Sequence, residues 1–507
     1  MKQSTNRIIF NTVVLYAKIL ICMVISLWTV PLLLDALGAS DYGLYNLVAG
    51  VVVMLSFMNG AMTISTQRYL SVTIGERDKE KLLEVYNMSI LLHVVIGLIV
   101  ALLVEICAPL LIQNVMNIEA ERVDTAYALF HYFVVSMFFT IIVVPFDAVL
   151  NAYENMLVFS IVGVVEAVLK LIVALLLPYL MFDRLNFYGV AIMVIAIIVF
   201  LLKMGYVIWK YDDLRFSRQA LKNMSLFWEL FGFAGGNTIS SLAIMVRNQG
   251  LAVVLNYFFS TVINAAYGIG NQINGVLCYF STTIQKSVNP QLMESQGTGD
   301  YGQLKTMTYG LTKFSTLSMA LVALPLLVEM PNVLNLWMDN VPPHTVSISR
   351  LIIVLSLIYQ MSSGLMSAIQ STGKIKYYTT TIGLLLLSTI PVAYAFLASG
   401  CVAEVALWVA CFIEVVAMAV RLVFAKRLVG LSISEYLVTL VVPMLLMFVG
   451  VGACLWLFTL SLAPSFWRLL LTCSVDVVLF CGVAYKVLFN EAEKNKTRSM
   501  VSKVFHR

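Results

Sequence analysis

The sequence is short of charge. Only 12% of its 507 residues are Asp, Glu, Lys or Arg, against about 25% in soluble domains, while 61% are hydrophobic. That imbalance excludes the soluble multi-domain protein that the length alone would suggest, because no soluble fold can hide so much apolar surface. The mean hydropathy of +0.92 makes lipid the solvent. Histidine is also scarce. The four present (His93, His131, His344 and His506) assemble no Ser-His-Asp or metal constellation. No GxxxxGK[ST] run supplies nucleotide chemistry, so a nucleotide-driven pump is excluded in favour of an ion or substrate gradient. The eight cysteines show no CxxC spacing and read as small buried hydrophobes, not as disulfides or metal ligands. A net charge of +5 is too small to imply nucleic acid. The expectation is a non-enzymatic protein with no cofactor and no metal.

What the sequence does have is long apolar runs. Runs of roughly 18 or more residues predict helices near 8–34, 44–63, 85–109, 125–146, 157–181, 187–209 and 229–257. A further seven fall near 262–284, 307–329, 347–370, 378–399, 403–424, 435–459 and 467–489. Lys2 and Arg7 precede the first run, which is too long for a signal-peptide core and reads as a membrane helix. Helices are required because bare backbone groups in hydrocarbon cost several kcal/mol each, and a barrel would need short alternating strands. The fold class is therefore all-α, a polytopic membrane protein of about 14 spans.

Orientation follows from the basic residues. With the N-terminus inside, 23 of the 32 Lys and Arg fall in cytoplasmic segments and only Arg122, Arg184, Arg350 and Arg468 fall outside. Both termini are then cytoplasmic, although the connection from Asp147 to Glu154 carries no positive charge.

An internal repeat organises the chain. Leu34-Asp35 to Tyr42-Gly43-Leu44-Tyr45-Asn46, then Gln67-Arg68, recurs as Leu255-Asn256, Tyr267-Gly268-Ile269-Gly270-Asn271 and Gln285-Lys286. Six helices separate the copies, which predicts two parallel six-helix lobes. The expected divisions are 1–209 for the first lobe, 210–228 for a basic cytoplasmic linker, 229–424 for the second lobe, and 425–507 for two additional helices and a basic tail.

Charges inside spans are costly and mark functional candidates. Lys18 lies ten residues into the first helix, about 15 Å deep, and Arg247 lies nine residues before Asn256, about 14 Å from the outer end of the seventh. Neither can snorkel easily. Lys313 in the ninth helix joins them, and none of the three has an acid at helical spacing. With Asn248 and Gln249 beside Arg247, they form the expected cationic substrate cavity between lobes, suited to an anionic ligand. Glu166 and Lys170, spaced i, i+4 with Glu first, are an ion-pair candidate. Together with Glu414 and Asp476 they are the candidates for pairing or for ion coupling.

Several ordered stretches carry a family likeness. Leu34-Asp35-Ala36-Leu37-Gly38-Ala39-Ser40-Asp41-Tyr42-Gly43-Leu44-Tyr45-Asn46 comes first, followed by Ser65-Thr66-Gln67-Arg68-Tyr69-Leu70 and by Pro145-Phe146-Asp147-Ala148 with Ala152-Tyr153-Glu154-Asn155-Met156. Arg247-Asn248-Gln249-Gly250, Asn264-Ala265-Ala266, Asn289-Pro290-Gln291, Lys313-Phe314-Ser315 and Ser371-Thr372-Gly373-Lys374 complete the series. The sequence resembles the Wzx-type polysaccharide flippases, within the superfamily that includes the multidrug and toxic compound extrusion (MATE) proteins. The resemblance implies a MATE-like, two-lobed transporter in the bacterial cytoplasmic (inner) membrane. It would flip undecaprenyl-pyrophosphate-linked oligosaccharide units, such as O-antigen or capsule repeats, to the outer leaflet by alternating access, with polysaccharide polymerase machinery as a partner. Lys18, Arg247 and Lys313 are the positions that would engage the lipid carrier, and H⁺ or Na⁺ the ion that would couple transport. Drug exporters of the superfamily often carry an acid within the first helix, whereas here Lys18 occupies that interior and Asp35 the outer end. The alternatives are a cation-coupled drug exporter and a peptidoglycan precursor flippase. A membrane-embedded polymerase or ligase is disfavoured, because the longest outer connections, 110–124 and 330–346, are only about 15 residues each.

Overall fold

The computed structural model describes residues 2–55, 66–67, 69–70, 73–74, 76, 78–153, 155–217, 223–236, 239–297, 300–372, 375–491 and 493–495. The topology-setting cations Arg68, Arg77, Arg218, Lys222, Lys374, Lys496, Arg498, Lys503 and Arg507, with Ser65, Glu154 and Gly373 of the family-like stretches, lie outside the described residues. Among those described, every regular element is helical. This is what the apolar runs demand, since only a helix satisfies its own backbone in lipid.

The first half comprises α1 (Lys2–Leu55), α2 (Lys79–Asn114), α3 (Val123–Ile142), α4 (Val144–Ala152), α5 (Met156–Leu176) and α6 (Arg184–Lys210). Then come α7 (Met224–Gly236), α8 (Ile239–Phe258), α9 (Thr261–Gly297), α10 (Tyr301–Trp337), α11 (Thr345–Gln360) and α12 (Ser363–Ser371). The chain continues through α13 (Lys376–Leu387), α14 (Thr389–Ala398), α15 (Glu404–Val429), α16 (Ile433–Tyr436), α17 (Val442–Leu460) and α18 (Phe466–Val487).

Among the described residues ten helices are long and apolar enough to cross a membrane, or eleven if α11 and α12, bent by 41°, count as one span. The difference from the fourteen expected runs has local causes. The first two runs form one element, α1, broken at Gly38, whose φ of 78° and ψ of 166° no helix contains. The run 229–257 is divided between α7 and α8, and α9 is too polar to pass, carrying Asn264, Asn271, Gln272 and Asn274.

Helix ends follow local chemistry. Side chains of Asp78, Asp183, Asp300, Ser432 and Ser465 accept from backbone amides in the first turns of α2, α6, α10, α16 and α18. Gly400 (φ 88°) follows α14 and Gly430 (φ 76°) follows α15, the left-handed conformation that ends a helix most cheaply in glycine.

Contacts divide the chain into two compact units, residues 1–268 with 390–403 and residues 269–389 with 404–507. In the first unit α1 lies along α5, α3 and α8, α2 packs on α3, and α3 on α6. Its core holds Leu44, Val85, Met88, Leu129, Phe130 and Val149, and Tyr45 meets the rings of Phe133 at 5.8 Å and Tyr188 at 5.1 Å. Lipid tails are as apolar as leucine, so such helices associate by close fit and polar contacts. Gly43 supplies one such fit, because any side chain there would strike the backbone of Thr261.

In the second unit α10 is central and packs on α11, α12, α17 and α18, while α11 packs on α15. The break between α11 and α12 frees backbone groups deep in the protein. Thr316 donates to the Gln360 carbonyl at 3.1 Å, Tyr436 donates to the Met361 carbonyl at 2.8 Å, and Gly364 N donates to Thr312 at 3.1 Å.

All eight cysteines are free, but the expectation that they are buried needs correction. Cys107, Cys454 and Cys481 are exposed and only Cys411 is buried. A cysteine is apolar enough to face lipid as readily as a protein core.

Candidate functional site

A cluster of charges in the first unit is built where α1, α4, α5 and α6 meet. Gly163 of α5 leaves room for the end of the Lys18 side chain, since a Cβ there would lie 2.5 Å from its Cε. The Lys18 ammonium rests on the Phe159 ring, 4.0 Å from the centroid. A cation on an aromatic face gains up to about 2 kcal/mol when desolvated, well below what a charge loses by leaving water. Beside it Lys203 of α6 pairs with Asp147 of α4 at 2.7 Å, both largely buried, and lies 5.4 Å from the same Phe159 ring. Two turns beyond Phe159 on α5, Glu166 and Lys170 pair at 2.7 Å, the contact their spacing predicts. Two acids therefore face three lysines. Among the described residues no carboxylate comes within ion-pair distance of Lys18, and the cluster carries one positive charge in excess.

Asp147 explains the connection with no positive charge. Instead of lying in a cytoplasmic loop, it continues into α4 and turns inward to Lys203. Lys203 escaped sequence reasoning although it lies seven residues inside its helix end. Its signal was the deep lysine itself, whose acid partner, Asp147, is distant in sequence.

Arg247 lies on α8, which packs on α1, and is 5% exposed. Its Nε donates to Asn248 Oδ1 at 3.2 Å, and the Asn248 carbonyl accepts from Tyr267 at 3.0 Å. Gln249 packs its amide on Gly50. Lys18, Arg247, Asn248 and Gln249 thus belong to one unit, on two contacting helices.

Lys313 belongs to the other unit and is engaged. Its ammonium donates to both Glu493 oxygens at 2.8 and 2.7 Å and to the Leu488 carbonyl at 3.1 Å. Sequence reasoning sought its partner within the spans, whereas the acid comes from beyond the last helix. Glu414, wholly buried, pairs with Arg421 at 2.7 Å, and Arg421 also donates to Ser362 beside the α11–α12 break. The 23 basic residues assigned to cytoplasmic segments include Arg421. It is instead inside α15, 1% exposed, because Glu414 sits two turns back on the same face. A similar case is Glu329 of α10, wholly buried, which accepts from Arg468 at 2.7 Å, Thr472 at 2.9 Å and Asn332 at 3.0 Å. Asp476, 1% exposed, differs from all of these, since neither of its oxygens has a hydrogen-bond partner among the described residues.

Comparison with known proteins agrees on the fold. The MatE family profile matches residues 10–176, about a third of the chain. A multidrug resistance MATE family transporter of the MOP superfamily in an inward-facing conformation superposes with a TM-score of 0.68 at 13% identity, over 80% of this chain and 94% of that chain. The lipid II flippase MurJ, in an inward closed conformation, superposes at 0.71 with 11% identity, over 94% of this chain and 98% of that one. A MOP superfamily transporter from Pyrococcus furiosus, described as having a binding pocket of reverse polarity, gives 0.54 at 14% identity, over 80% of this chain and 95% of that one. Curated protein sequences give no match. The fold is MATE-like.

Proposed function

We propose that this protein is a membrane transporter that flips a prenyl-pyrophosphate-linked oligosaccharide between leaflets, as the cationic residues and the resemblance to polysaccharide flippases suggest. The observation that carries this reading is Lys18, a half-buried ammonium within a span that rests on Phe159 and has no carboxylate within ion-pair distance among the described residues. A lysine kept uncompensated in a span costs stability, and a protein retains such a group where it works on a ligand. The fitting ligand is an anion, and a pyrophosphate offers several acceptor oxygens. Arg247 on the neighbouring helix adds a second cation, with Asn248 and Gln249 as hydrogen-bonding groups for sugar hydroxyls. The wider coverage by the lipid II flippase, 94% against 80% for the drug transporter, supports a lipid substrate.

The test is reconstitution into vesicles with a prenyl-pyrophosphate oligosaccharide and a lectin that reports outward-facing sugar. Lys18→Met should slow flipping at least tenfold, about 1.4 kcal/mol or more, while Lys18→Arg retains most of it. Wild-type flipping by Lys18→Met at equal protein content would remove the assigned role. The match of residues 10–176 to the MatE profile favours one competing reading, a cation-coupled drug exporter. That reading requires altered drug sensitivity on deletion, with no change in lipid-linked sugar.

A further inference from the structure

Among the described residues, Glu166, Asp147, Glu414, Glu329 and Asp41 each hold a lysine or arginine at 2.7 Å, and Glu105 of α2 meets His131 of α3 at 2.7 Å. Asp476 lies ten residues past the start of α18, about 15 Å at 1.5 Å per residue, half the thickness of a hydrocarbon core of about 30 Å. It is 1% exposed, and both carboxyl oxygens are sealed from the surface with no hydrogen-bond partner among the described residues.

Its surroundings do not neutralise it. Helix α18 buries the stripe Thr472, Asp476, Phe480 and Ala484 against α10 and α17. From α10 the charged groups are Glu329, Lys313 and Lys305, bound to Arg468, Glu493 and Glu435 respectively. Helix α17 contributes no charge; apart from Cys454 and Thr459 its side chains are apolar or aromatic. On α18 itself Arg468 is held by Glu329, and Lys486 lies in the last turn. The other titratable side chains on the three helices are tyrosines and cysteines, which ionise above neutrality in ordinary surroundings. The Thr472 hydroxyl, one turn away, donates towards Glu329 and the Arg468 carbonyl. A bare carboxylate at this depth would cost several kcal/mol, and a well-packed leucine would fill the seam at no such cost.

We infer that Asp476 is a proton-binding site built into the seam between α18, α10 and α17. The inference stands on this geometry and not on the transport reading. Occupancy neutralises the carboxyl and lets α18 stay packed. Loss of the proton leaves a charge that the seam cannot solvate, so α18 loosens from α10.

The experiment uses the full chain in nanodiscs. Wild type is melted in mildly acid and mildly alkaline buffer, each with sodium chloride or with choline chloride. If the site takes a proton, the melting temperature falls as the pH rises, whatever the salt. A melting temperature that does not fall with rising pH, or that responds to sodium alone, overturns the proton site. Asp476→Asn, neutral and nearly isosteric, should lose the pH dependence and melt at or above the protonated wild type. A variant with the full wild-type dependence on pH would overturn the site. Infrared spectra of wild type with isotopically labelled aspartate carboxyls keep the question decidable should the variant not fold. A buried aspartic-acid C=O band supports the site. A fully ionised aspartate spectrum at neutral pH refutes it.

Discussion

A lysine, a glutamate and an arginine show how single residues divide between structure and function in this chain. Glu414 and Arg421, two turns apart on one face of α15, are both almost wholly buried and bound to each other at 2.7 Å. Replacing Glu414 alone by Ala strands the guanidinium beside Tyr359 and Ser362, and should cost about 3–5 kcal/mol. Replacing both residues with leucine should recover most of that loss, which thermal unfolding of the three proteins would reveal. Lys18 behaves in the opposite way, because its environment leaves its charge available. Gly163→Ala should push the lysine end off Phe159 with a stability change of about 1 kcal/mol or less, since the far end of a lysine moves readily. Transport should nevertheless fall. A Gly163→Ala protein with unchanged transport would show that the seat on Phe159 is incidental.

At the scale of helices, the sequence shows where each one runs better than where it bends. The apolar runs locate the elements because hydrocarbon enforces helices. Gly400 and Gly430 mark ends through their left-handed backbone. Nothing lies within 4 Å of a Cβ built at Gly430, so Gly430→Ala tests conformation alone and should cost about 1–2 kcal/mol in thermal unfolding. The break at residues 361–362 was hardly legible, since its one local signal, Ser363-Gly364, lies within an otherwise continuous apolar run. It is held by groups distant in sequence, chiefly the Tyr436 hydroxyl on the Met361 carbonyl. Tyr436→Phe removes that donor and leaves a buried carbonyl bare, a loss of about 1–3 kcal/mol by the same measurement.

For the whole molecule, the excess of basic residues on one side predicts that both termini face the cytoplasm. A protease added outside intact cells should therefore leave a C-terminal tag uncut, and cleavage would reverse the orientation. Deleting the gene should trap lipid-linked oligosaccharide on the cytoplasmic leaflet, which extraction and mass measurement of the prenyl lipids would detect. The candidate site was half legible. Lys18 and Arg247 stood out because a cation far from both ends of an apolar run has few explanations. Lys203, Asp147 and Glu329 did not, since each partner lies on another helix and no spacing along the chain connects them.

Composition and the length of the apolar runs by themselves determined a helical membrane protein, because water-free hydrocarbon leaves the backbone no other way to satisfy its hydrogen bonds. They also located several of the charges that lie too deep for lipid, Lys18, Arg247, Lys313, Glu414 and Asp476 among them, but not Lys203 or Arg421. Only the tertiary structure decided which of those charges neutralise one another. Lys313 met Glu493, Arg421 met Glu414 and Lys203 met Asp147, while Lys18 met an aromatic ring and Asp476 met no hydrogen-bond partner among the described residues. The physical reason is range: hydrophobic burial is written locally in each helix, whereas an ion pair needs two atoms within a few ångströms, and only packing brings distant helices that close.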